Sequence, residues 1–173
     1  MKHFPVLLSF VLVVSSCCCC SLESIIDSAF SIMNTTEPVS AEQFAREMTN
    51  SAALPDEIEN FQAVRYDFPG FSNYYLRYEV SDPALALAWV ESLPFMPSAD
   101  APLETCQLAL ESIVAEDFSP DPKVVDLTQV AFWQPGEITE KEYYNCLRFP
   151  WSHSLLVDLS GNTVYNVIQE IRE

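Results

Sequence analysis

The chain offers few side chains able to do chemistry at neutral pH. It has two histidines, His3 and His153, and His3 stands in an apolar, signal-like N-terminus. That leaves His153 as the general base of any Ser-His-Asp arrangement, with Ser152 and Ser154 as its own neighbours and no glycine-flanked nucleophile elbow. A structural or surface role for His153, beside Pro150-Trp151, is therefore the expectation. Acids are plentiful in two groups, Asp56/Glu57/Glu59 and Glu116/Asp117/Asp121/Asp126, so the inventory allows a two-carboxylate hydrolase. Asp117-x-x-x-Asp121, with two prolines nearby, lacks the alternating acids and glycine of a calcium loop. A solvated acidic face is expected there, with no metal site and no cofactor.

Composition narrows the field. There are 3 glycines, Gly70, Gly136 and Gly161, too dispersed for a loop that cradles phosphates. With 8 Lys+Arg against 25 Asp+Glu the net charge is -17, which repels nucleic-acid backbones and anionic head groups alike. No nucleic-acid partner is expected. A length of 173 residues, 49% of them hydrophobic, suits one folded domain.

Six cysteines divide into a run, Cys17 to Cys20, and a pair in the body, Cys106 and Cys146. The pair has neither C-x-x-C spacing nor a second cluster, so zinc and thioredoxin-type redox chemistry lack support. Two readings stay open: a disulfide of an oxidising compartment, or two thiols that never meet.

Met1-Lys2-His3 is a basic start, followed by the uncharged run Phe4 to Val14 and then Ser15-Ser16. Such a layout is that of an export signal, and the run is shorter than the roughly 20 residues a membrane-spanning helix needs. Val14-Ser15-Ser16-Cys17 resembles a bacterial lipobox. The resemblance implies a signal over 1–16, lipidation of Cys17 and a membrane anchor, with the outer membrane favoured because Cys18 is not aspartate. The alternative is an ordinary secreted protein. Lys2 is the only charge in residues 1–16, so the exported body is more acidic still.

Residues 17–40 read as a lipid-anchored tether and 41–173 as one domain. Ser40 caps a helix to about Asn50, with Phe44 and Met48 four apart on one face. Tyr74, Leu76, Tyr78 and Val80 alternate with Tyr75, Arg77 and Glu79, so 61–67 and 73–81 form a hairpin about Phe68-Pro69-Gly70-Phe71. Ser81-Asp82-Pro83 starts a helix that Pro94 stops. Leu103, Cys106, Leu110, Ile113 and Val114 fit one side of a helix over 103–118, while 124–133 is ambiguous. Three further strands are expected at 143–149, 153–159 and 163–171, the last two turning at Ser160-Gly161-Asn162. A helix over 163–171 is the rival reading, and β-branched content decides against it.

The expected fold is α+β, an antiparallel sheet of two hairpins plus extra strands with two or three helices on one face. Leu54-Pro55 before a hairpin, Trp133-Gln134-Pro135 and the stretch Val157-Asp158 to Val164-Tyr165 are similar to small bacterial exported proteins of unassigned activity. Aromatic residues make up 12% of the chain, and a sheet with one open face would display some of them. Tyr75, Arg77, Trp133 and Trp151 are the candidate binding surface. The expected role is an envelope-anchored, non-enzymatic module that binds an envelope protein or glycan, with a small hydrolase using carboxylates as the alternative.

Overall fold

A computed structural model describes residues 35–49, 51, 53–68, 71–93, 106–120, 125, 127, 130–148 and 150–170. Thr35–Glu173 form one compact unit. The elements run β1 (Thr35–Pro38), α1 (Ala41–Thr49), β2 (Glu59–Phe68), β3 (Phe71–Glu79), α2 (Pro83–Ser92), β4 (Cys106–Ala109), α3 (Glu111–Phe118), a 3-10 turn (Pro135–Glu137), β5 (Lys141–Arg148), β6 (Trp151–Asp158) and β7 (Thr163–Glu170). All seven strands join one antiparallel sheet in the order β1-β2-β3-β7-β6-β5-β4. The α+β class is as expected, and the sheet is larger than two hairpins with an added strand or so.

Local signals place several elements as read. Ser40 Oγ accepts the backbone N–H of Gln43 at 3.1 Å, closing the start of α1. Asp82 does the same for α2 by accepting from the Ala84 N–H at 2.9 Å, with Pro83 in the first turn. Thr163–Glu170 is a strand, in keeping with its β-branched residues. The turn at Pro69-Gly70 lies outside the described residues. Thr35–Pro38, expected in the tether, pairs with β2 from Asp67 to Val64. Arg65 helps hold that edge, reaching Asp67 at 2.9 Å, Glu37 at 3.3 Å and Glu47 at 3.4 Å.

Two expectations are corrected. The segment 103–118 is not one helix. Cys106–Ala109 pairs with β5, and α3 begins only at Glu111, leaving Leu110 and Ile113 at 69% and 67% exposure. A helical period was present, but the pairing with β5 and the cross-strand link at Cys106 override local propensity.

Two helices share one face as expected, but the other face, expected to be open, is covered as well. α1 and α2 cover the first face, where Phe44, Ala86, Trp89 and Val90 meet Tyr74, Leu76, Tyr78, Leu155, Val157, Val164 and Ile168. α3 and the chain after it cover the second, where Val114, Phe118, Val125, Leu127 and Trp133 meet Val64, Tyr66, Tyr75, Leu156, Tyr165 and Val167. A sheet apolar on both faces has to be covered on both.

Candidate functional site

The residues expected to form one binding surface are not together. Tyr75 is 2% exposed, and its ring meets Trp133 edge to face at 5.2 Å, a correction forced by the cover on the second face. Burial pushes its hydroxyl up to about 12. Trp133 is 9% exposed and packs against Tyr75, Tyr165 and Phe118, with its indole N–H donating to the Phe118 carbonyl at 3.3 Å. It is mainly a wall of the core and offers a stacked ligand little of its ring. Trp151 is half-buried on the first face, edge to face with Tyr74 at 5.9 Å. Of the four, Arg77 alone lines an open polar recess on the second face.

Cys106 and Cys146 are directly opposed on β4 and β5 and joined in a disulfide. Cys17 and the lipobox-like stretch lie outside the described residues. His153 is 1% exposed on the first face, its Nδ1 3.3 Å from Asn166 Nδ2. Cys146 faces it across the β5–β6 ladder. An enclosed imidazole of this kind serves the core more readily than it meets a substrate. The acids expected on a solvated face are partly structural: Asp117 accepts from Ser154 Oγ at 2.5 Å and from Gln169 Nε2 at 3.2 Å.

What the second face does offer is a pair of adjoining recesses, one within its cover and one between the cover and the sheet. One, about 360 Å³, is walled by Phe118, Pro120, Val125, Leu127, Trp133 and Pro135, and is mostly apolar. The other, about 280 Å³, is polar and lined by Arg77, Thr139, Asp158, Ser160, Thr163 and Tyr165. Gln134 and Glu137 line both, so the two compartments lie side by side about these residues.

Local structure fixes the walls. Pro135 begins the 3-10 turn that carries Glu137 to the rim, and a Cβ built on Gly136 would meet nothing within 4 Å. Asp158 Oδ1 accepts from Ser160 N, Ser160 Oγ and Gly161 N at 2.8–3.0 Å, forming the β6–β7 turn. A Cβ at Gly161 would come within 2.6 Å of Asp158 Oδ2, so a larger residue there would push that carboxylate aside. Arg77 Nη2 donates to Glu79 Oε1 at 2.9 Å and to Thr163 Oγ1 at 3.4 Å. Hydrogen bonds from Asn60 and Arg77 hold the Glu79 carboxyl below its usual range.

Gln134, Glu137 and Asp158 went unmarked as site residues, because Gln134-Pro135-Gly136-Glu137 and Ser160-Gly161-Asn162 carry only turn signals. Among the described residues no group of three or more His, Cys, Asp or Glu is placed to hold a metal ion, and no helix is long and apolar enough to cross a membrane. No family model matches the chain, and no curated protein or solved structure matches it significantly.

Proposed function

We propose that this is an exported, lipid-anchored envelope protein whose body binds a partner, an envelope protein or a glycan, through the second-face cleft. The observation that carries the binding role is the pair of compartments flanking Gln134 and Glu137, apolar on one side and polar on the other. Concave sites of mixed character, apolar for affinity and polar for orientation, are where ligands are usually held. The Cys106–Cys146 disulfide supports an oxidising compartment, and the lipobox-like Val14-Ser15-Ser16-Cys17 supports the anchor. The test compares envelope-partner capture by wild type and Gly136→Leu, which adds bulk at the rim of the apolar compartment. The proposal expects reduced capture with an unchanged melting temperature. Equal capture by both would remove the cleft from the function.

A further inference from the structure

We infer that the cleft takes a basic polypeptide segment, one cationic side chain lying beside Glu137 and Asp158 and a neighbouring apolar side chain entering the compartment walled by Phe118, Val125 and Leu127. This rests on the cleft being the binding site and adds the chemistry of its occupant. The first argument is charge. Arg77 is the one cation lining the polar compartment, and its Nη2 is already held by Glu79 at 2.9 Å. Its charge is answered before any ligand arrives. Glu137 is exposed and has no ion pair among the described residues, and Asp158 adds a second carboxylate. The recess is therefore net acidic within a chain of net charge -17, which draws in cations and repels acids.

The second argument is shape. At about 360 and 280 Å³ the compartments lie near the lower end of small-ligand pockets, roughly 300–1,000 Å³, so each has room for a side chain. Because Gln134 and Glu137 border both, a ligand that crosses over these two residues reaches both compartments. A polypeptide with adjacent basic and apolar residues has that form. A glycan would seek an open aromatic face, and Trp133 is largely buried against Phe118, Tyr75 and Tyr165.

The experiment uses the full chain in detergent with its disulfide formed, and fluorescence anisotropy with labelled acetyl-Lys-Leu-Lys-Leu-Lys-amide. Its Glu-for-Lys counterpart and unlabelled diacetylchitobiose serve as competitors. The basic peptide should bind and the competitors should not displace it. Glu137→Gln should weaken binding by up to about fivefold, the scale of one partly exposed ion pair. Gly136→Leu should weaken it too. Glu42→Gln, on the exposed side of α1 over the opposite face, should leave it unchanged.

Equal weakening by Glu42→Gln and Glu137→Gln would show attraction to the overall acidic field and overturn the inference, as would displacement by diacetylchitobiose. Absence of peptide binding, with envelope-partner capture still lost in Gly136→Leu, would refute the ligand class and leave the cleft standing. Gly136→Leu altering neither readout would refute both.

Discussion

The disulfide has a larger duty than joining two strands. Cys106 and Cys146 are 40 residues apart, and the chain between them contains α3 and the buried residues Val125, Leu127 and Trp133 that cover the second face. Closing a loop of that length stabilises a domain by about 4 kcal/mol in the chain-entropy model. Against a total of about 5–15 kcal/mol, its loss removes a quarter or more of the stability. The effect should fall first on the cover, because β4 has four residues and α3 eight, whereas β6 and β7 are paired on both sides. The assay is urea unfolding of the oxidised protein, the dithiothreitol-treated protein and the Cys106→Ala/Cys146→Ala variant, with chymotrypsin digestion below the unfolding transition. Reduction should lower stability by several kcal/mol and speed cleavage at Phe132 and Trp133. A loss under about 1 kcal/mol, or unchanged cleavage there, would refute the idea that this link fastens the cover.

Three other outcomes are expected. Leu76 is fully buried on the first face and Tyr75 nearly so on the second, so Leu76→Ala should cost about 2–5 kcal/mol and Tyr75→Ala about 3–5, both measured by thermal melts; a harmless Tyr75→Ala would mean an uncovered second face. Burial raises Tyr75 and Tyr143, and a hydrogen bond to Glu142 raises Tyr144, each from 10.0 to about 12. Stability from these groups is fully present below pH 10 and is lost as pH rises from there towards 12, which denaturant midpoints across that range will show; a flat profile would contradict it. Cys17→Ser should abolish metabolic fatty-acid labelling, and label that persists in the variant would remove the lipid anchor from the account.

Much of the frame was legible because the signals were local. Ser40 and Asp82 announce their helices as caps, and the alternation about Leu76 and Val157 announces strands. Sheet order was not legible, since β3 pairs with β7 across about half the chain and no nearby residue encodes that contact. Cys106–Ala109 defeated periodicity because four residues fit a helical stripe as well as a strand, and the choice was made by β5. Tyr75 misled for a related reason. The second-face row of β3 runs Asn73, Tyr75, Arg77, Glu79, and its cover reaches Tyr75 while the cleft opens at Arg77. Alternation tells which residues share a face, but not how far another segment extends over it. The polar compartment is made by two turns and the apolar one by the end of α3 with Val125 and Leu127, and turn signals say only that the chain reverses.

The most direct measurement of the central claim is site-specific photo-crosslinking in intact envelopes, with the photoreactive residue placed at position 137 on the second-face rim or at position 42 on α1. A cleft that holds the partner predicts one discrete adduct from position 137, lost in the Gly136→Leu background and absent from position 42. Adducts of equal strength from both positions, or an adduct from 137 that survives Gly136→Leu, would contradict it.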